Sequence, residues 1–456
     1  MAVIADYTRI LKEFYETGGL HDAIDRELPL LSKFKKLELD WTGRNAIFAV
    51  KVARSSEGAV NSVGFAAEGA ALPAASSQVS VQLTLGAKLL YGRFQLSGAL
   101  MASAKNKVGS FVQALEDEMD GSVDDVKNAA ARALYVGGGG IGFIHQKTNF
   151  AASIAGGGAN DVRVQFSGNI EELPVLFANR VAVKMVRMDN YDTLYTGSAY
   201  RPDTTDVGSV CFDFAIDTRD VTLATNLADG CGLAVVRTVS ADPLTAYLAD
   251  EPIGLYGNLS DDLFFGIDRE TTAPVNAPVI PAAGLDRLRA CVRRNTLGEA
   301  SAPANNPATA LAQTRMEAVL TELQEYPFAG KPIDLLVMRP TTRQAYVALI
   351  SNGNALYTTT DKARHGDVGV ADISYNGIRM MTDRHCGRGI ILFLNTKSWN
   401  LAQLKSASIE DIDGNVLSRI HNFDAYEGHV SWYYNTICSM PNANGILHGF
   451  DYPGLV

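Results

Sequence analysis

Residues 108–142 read VGSFVQALEDEMDGSVDDVKNAAARALYVGGGGIG. Val108, Phe111, Leu115, Met119, Val126, Ala130 and Leu134 recur here at steps near 3.6, the spacing that gathers apolar side chains on one face of an α-helix. A long helix is expected over residues 99–135. Taken as one rod from 108 to 135 it would reach about 40 Å at 1.5 Å per residue. Gly121 interrupts the pattern, and Ser122 with Asp125 has the form of a capping box that would restart it. Arg132 stands near the C-terminal end, where a cation complements the helix dipole. The run Gly137-Gly138-Gly139-Gly140 then stops the helix.

Upstream, residues 42–97 alternate in period 2, the signature of half-buried strands. Phe48, Val50 and Val52 alternate with Ala49, Lys51 and Ala53, and Val79, Val81, Leu83 and Leu85 with Ser80, Gln82, Thr84 and Gly86. These predict a long hairpin whose connection runs from Ser55 to Ser76. A two-stranded ribbon is marginal alone in water and needs a surface, in this chain or another. Residues 1–40 carry only the short stripe Leu11, Phe14 and Tyr15 before Gly18-Gly19, too little to form a core, so they read as an arm.

Downstream, residues 150–245 read as all-β. Val162, Val164 and Phe166 alternate, as do Val181, Val183 and Met185, then Phe212, Phe214 and Ile216, then Val221 with Leu223, and Leu233 with Val235. Short, regularly spaced strands predict a small sandwich or barrel. Pro274, Pro278 and Pro281 mark a connector at 270–284. From 307 the pattern becomes α/β. Ala308, Ala312, Met316, Val319 and Leu323 form a helical face, Ile333 to Met338 a strand, and 341–350 a helix. Asn376-Gly377 is a hairpin turn, and Ile390 to Leu394 a buried strand. After about 405 the chain returns to β, with Val430 to Tyr434 as a strand.

The 456 residues correspond to about three domains. Hydrophobic residues make up 47% and charged residues 20%, enough for a substantial core. Net charge is −10, which argues against a cationic face for tight nucleic-acid binding. Cys211, Cys231, Cys291, Cys386 and Cys438 are odd in number, far apart and without a CxxC, so they are expected as reduced, mostly buried thiols in a cytoplasm-like compartment. The N-terminus lacks the basic-then-apolar order of a signal peptide. No apolar run reaches the roughly 20 residues of a membrane span. A soluble protein is expected.

No motif carries chemistry. Gly137, Gly139 and Gly142 fit G-x-G-x-x-G, but they follow a helix and open β structure, the inverse of a dinucleotide site. Asp383, His385 and Cys386 have a nucleophile-like look, yet neighbours on a strand point to opposite faces, and strand or turn residues between Met381 and Ile390 are the preferred reading. Histidines at 21, 145, 365, 385, 421, 429 and 448 form no metal-binding spacing. Asp411, Asp413 and Gly414 open like a calcium loop, but Asn422 stands where its closing Glu would be. No catalytic, cofactor-binding or metal-ligating residue is therefore expected, nor an enzyme. Trp432 is expected in the core. The residues alone point to a subunit of some assembly, because an arm and a long ribbon gain buried area from neighbours.

Several stretches resemble the major capsid proteins of tailed bacteriophages, with the Hong Kong 97-type shell fold. They are Tyr15 to Leu20 running to Arg26-Glu27-Leu28-Pro29-Leu30-Leu31, Glu68 to Pro73, and Tyr91 to Gly98 feeding the helix that ends Ala131-Arg132-Ala133-Leu134-Tyr135. Glu251 to Leu255, Phe265 to Arg269, and Asp334 to Met338 with Thr341 to Tyr346 continue the likeness in order along most of the chain. The resemblance implies an α+β Hong Kong 97-like capsid fold: N-terminal arm 1–41, extended hairpin loop 42–97, peripheral domain with spine helix 98–149, axial α/β domain 286–405 and return strands of the peripheral domain 406–456. The region 150–285 is then a β-rich insertion and connector. The implied function is self-assembly into the pentamers and hexamers of an icosahedral capsid around double-stranded DNA, in a virion built in the bacterial cytoplasm. An encapsulin-type nanocompartment shell is the alternative. Implied partners are further copies, a portal, a separate scaffold protein and decoration proteins, with DNA contacted only non-specifically and no membrane. No covalent crosslink between subunits is expected.

Overall fold

The computed structural model describes residues 28–37, 41–43, 45–53, 68, 79–97, 108–135, 140–148, 162–168, 181–187, 193–200, 212–216, 233–237, 251–259, 269, 287–294, 309–325, 333–352, 374–387, 389–409, 417–448 and 450–451. Residues 1–27 and 38–40 of the arm expected over 1–41, the bulk of the hairpin connection, Val221 with Leu223, and the Asp411–Gly414 turn lie outside these residues.

Strands β1 (Lys35–Leu37), β2 (Trp41–Thr42), β3 (Asn45–Ala53), β4 (Val79–Gly86) and β5 (Lys88–Ser97) precede helix α1 (Val108–Tyr135). Strands β6 (Gly140–Thr148), β7 (Val162–Gly168), β8 (Val181–Arg187), β9 (Thr193–Tyr200), β10 (Phe212–Ile216) and β11 (Leu233–Arg237) follow. Then come α2 (Leu255–Leu259), β12 (Cys291–Arg294), β13 (Thr309–Ala310), α3 (Gln313–Glu325), β14 (Leu335–Met338) and α4 (Pro340–Asn352). The chain continues with β15 (Ser374–Tyr375), β16 (Ile378–Thr382), β17 (Ile390–Leu394), β18 (Trp399–Ile409), β19 (Ser418–Arg419), β20 (Ala425–Cys438), β21 (Gly445–His448) and β22 (Phe450–Asp451).

The first sheet is built on β20, which pairs with β18 and β19 along one edge and with β5 along the other, while β1 adds in parallel to β18. The β5–β20 ladder runs from Ala425↔Ser97 to Tyr434↔Lys88. Even-numbered residues of β5 and β20 face α1. Phe94, Leu96, Val430, Trp432 and Tyr434 share one core with Met119, Val123, Val126, Ala130 and Leu134. Helix and sheet approach so closely at Gly92 that a Cβ there would stand 2.4 Å from Val126 Cγ2. Arg132 reaches Glu251 at 2.8 Å, so the cation near the helix end also anchors the segment before α2.

The helix does not restart at Ser122. It runs unbroken through Gly121, and Ser122 is buried under the sheet rather than capping a new turn. Gly121 is exposed and nothing lies within 4 Å of its Cβ position, so its cost, about 1 kcal/mol against alanine, is offset by packing on the opposite face.

Strands β3 and β4 pair antiparallel with Phe48↔Leu83 and Val50↔Val81, the alternation read from the sequence. Their inward residues Val50, Val81, Leu83 and Leu85 pack on Leu288, Ala402 and Ile437. The ribbon thus finds its supporting surface within its own chain, while Ile47 on the outward face stays 65% exposed. Strand β5, expected as the end of this hairpin, belongs to the first sheet.

The second sheet has the order β12-β21-β17-β14-β16-β15. All five residues of β17 are buried, because both faces are covered. Leu336, Met338, Ile391 and Phe393 meet Met316, Val319, Leu320 and Leu323 of α3. Leu335, Val337, Ile390, Leu392 and Leu394 on the other face join the core under α1. The β15–β16 hairpin turns at Asn376 and Gly377, with φ of 48° and 78°, the left-handed backbone that an Asn-Gly turn tolerates.

Strands β6 to β11 close a barrel in the order β10-β7-β6-β11-β8-β9, antiparallel throughout. This resolves the choice between sandwich and barrel. The β region begins at Gly140, the first residue of β6, not near 150.

Candidate functional site

Asp383, His385 and Cys386 sit in the turn between β16 and β17. Asp383 accepts the Tyr135 hydroxyl hydrogen bond at 2.7 Å through Oδ2 and the His385 backbone N–H at 2.9 Å through Oδ1. His385 Nε2 accepts from Arg384 Nε at 3.1 Å. The neighbour of Cys386 Sγ is the Tyr256 hydroxyl at 3.8 Å. The thiol is fully buried, and burial pushes its pKa to about 12. A nucleophilic cysteine needs a thiolate, a base in reach and access for substrate. Cys386 has a tyrosine beside it and no exposed surface. The carboxylate instead clips the end of α1 to the second sheet. Burial, and then the Asp383 charge, raise the Tyr135 phenol well above its ordinary pKa. Cys291, Cys386 and Cys438 are free and buried, as expected of them.

A second polar cluster was not legible in the sequence. Arg269 is fully buried and donates to the carbonyls of Asn258 at 2.9 Å, Leu288 at 3.1 Å and Gly257 at 3.1 Å. The Asn258 amide donates to Ile253 O and Gly254 O, and its Oδ1 accepts from Cys438 N at 3.2 Å. Asn444 Oδ1 accepts from Asn395 N at 2.9 Å and Trp399 Nε1 at 3.1 Å, while its amide donates to Ser398 Oγ and Met440 O. Buried side chains of this kind must find partners, and here they tie α2, the end of β20, the start of β18 and the approach to β21 together. The arrangement is structural: most of these donors and acceptors are spent on backbone groups and on one another. The sequence offered only the Phe265–Arg269 stretch as a hint.

Beyond the part that the ribbon covers at Ala402 and Ile437, the outward face of the first sheet is open around Tyr91 in the single chain. Tyr91 is 52% exposed, and its hydroxyl lies 3.0 Å from that of Tyr433, with the rings edge to face. Lys405 Nζ stands 5.4 Å over the Tyr433 ring and donates to Ser431 Oγ. Arg93 pairs with Glu427 at 2.6 Å. Tyrosine and arginine on a flat, half-polar face are what protein–protein contacts favour. Among the described residues no group of three or more His, Cys, Asp or Glu could hold a metal ion, and no helix is long and apolar enough to cross a membrane.

No family model matches the chain, and no curated protein matches it. Among solved structures the chain is similar to the capsid asymmetric unit of cyanophage A-1(L), at 10% identity and a TM-score of 0.46 over 93% of each chain. It is similar to the capsid of a native GTA particle at 10% identity and a TM-score of 0.43, covering 92% of this chain and 90% of that one. A satellite phage P4 procapsid, solved with its size determination protein, matches at 9% identity and a TM-score of 0.38, covering 95% and 91%.

Proposed function

We propose that this chain is the shell subunit of a tailed-phage type capsid, which assembles through pentamers and hexamers into an icosahedral shell around double-stranded DNA. The observation that carries the proposal is the arrangement of α1. A 28-residue helix lies along the β5–β20–β18 sheet, and its end is clipped by Tyr135–Asp383 to a separate α/β sheet. This arrangement supports the spine-helix reading that the sequence resemblance implies. A ribbon precedes it, and the return strand β20 comes from the far end of the chain. The sheet's outward face and the solvent side of β3 carry Tyr91, Tyr433 and Ile47, residues that contact between copies would cover. The nucleophile-like cluster is buried and wired to structural partners, which favours a structural role over a catalytic one.

Negative-stain electron microscopy of the purified full-length chain tests this. Closed shells, or rings of five and six, are the expected result. A chain that stays monomeric by light scattering over a wide range of concentration and salt would refute it. Shells that protect DNA from nuclease place the protein in a virion, whereas shells that package only a protein cargo fit the nanocompartment alternative.

A further inference from the structure

A groove of about 370 Å³ opens between the turn before β1, strand β14, helix α4 and strand β16. Lys33, Arg343 and Arg379 line it, and no acidic side chain is among its described lining residues. Leu335, Met380 and Met381 form apolar walls, and Thr382 adds a hydroxyl. On a chain of net charge −10, three cations from three separate elements converge on one concavity. We propose that this groove binds the phosphate groups of a polyphosphorylated ligand.

Three physical arguments carry it. A cleft lined by one sign of charge, with apolar walls, focuses its field outward and concentrates counter-ions. Arg343 stands in the first turn of α4, a turn without an acidic residue, at the end where a helix dipole favours an anion. Two guanidinium groups offer forked donors that match phosphate oxygens, and the volume falls within the range of small-ligand sites, larger than a single carboxylate requires. Phosphate groups could come from a free polyphosphate or from a nucleic-acid backbone, and the test separates the two. The groove lies within a single chain, so the proposal stands apart from the shell reading.

The experiment is calorimetric titration of the full-length chain with sodium tripolyphosphate at low salt, repeated with R343Q/R379Q and with R379K. Saturable binding is expected, weakened by about tenfold or more in the double variant, largely kept in R379K, and falling as salt screens the charges. A short single-stranded oligonucleotide that displaces tripolyphosphate assigns the source to nucleic acid; failure to displace it assigns a free polyphosphate. Absence of saturable heat, or an affinity unmoved by the double substitution, overturns the proposal.

Discussion

Replacing Gly92 by alanine should loosen the helix–sheet junction on which the fold turns. The new Cβ would stand 2.4 Å from Val126 Cγ2, 3.0 Å from Ser122 Oγ and 3.4 Å from Ser122 O. Ordinary carbon–carbon contact needs about 3.5–4.0 Å, so something must move by roughly 1 Å. Val126 is 3% exposed and β-branched, and a helix holds such a side chain to one rotamer. Strand β5 cannot bow away, because its ladder with β20 extends to both sides of Gly92↔Val430. The cost of such overpacking is about 1–3 kcal/mol. Denaturant unfolding of the monomeric chain, followed through the buried Trp399 and Trp432, should show the midpoint falling at constant slope. Val126→Ala alone should cost roughly 2 kcal/mol through the cavity it leaves. The double variant should then cost less than the two together by about 1 kcal/mol, because the added methyl occupies the space vacated. A loss below about 0.5 kcal/mol for G92A, or strict additivity, would refute the reasoning.

Tyr135→Phe removes the donor to the buried Asp383 carboxylate and should destabilise by about 1–3 kcal/mol in the same assay, since the acceptor is left unsatisfied. Arg269→Met should cost about 3 kcal/mol or more, because three buried carbonyls lose their shared donor; an unfolding midpoint equal to wild type would contradict the knot described above. Cys386 and Cys438 have thiols raised to about 12 by burial and should resist a thiol reagent at pH 8 until denaturant is added; rapid labelling of either in the native protein, read by mass spectrometry, would contradict their burial.

Local patterning made much of this fold legible. The alternation at Phe48 and Val50 and at Val81 and Leu83 gave the two strands, while their register came only with the fold. Asn376-Gly377 announced its turn, and the stripe from Met119 to Leu134 announced which face of α1 is buried. The pairing of β5 with β20 was not legible, because strands separated by more than three hundred residues leave no local mark of their partnership; β5 therefore read as the tail of the nearer hairpin. Gly121 and Ser122 misled in the opposite direction. Their local chemistry favours a break, and packing of Ser122 beneath the sheet at Gly92 overrides it. Asn258, Arg269 and Asn444 carry no periodicity at all. A single polar residue shows its role only when the carbonyls around it are brought into place by the fold.

The same distribution of buried and open surface bears on where copies can meet. The central strand β17 of the second sheet is buried throughout, and the apolar stripe of α1 from Met119 to Leu134 is spent in the core. Among the described residues the open surface includes Tyr91 and Tyr433 with Lys405 across them, the Arg93–Glu427 pair, and the scattered apolar side chains Ile47, Leu404 and Phe423. Contacts of that composition are individually modest and easily hydrated. A subunit carrying ten net negative charges would also repel its copies until salt screens them beyond about 8 Å. Stability of an assembly must then come from many such contacts made at once, each reversible alone. That is the regime in which a closed lattice can correct its errors while it grows and still hold once complete.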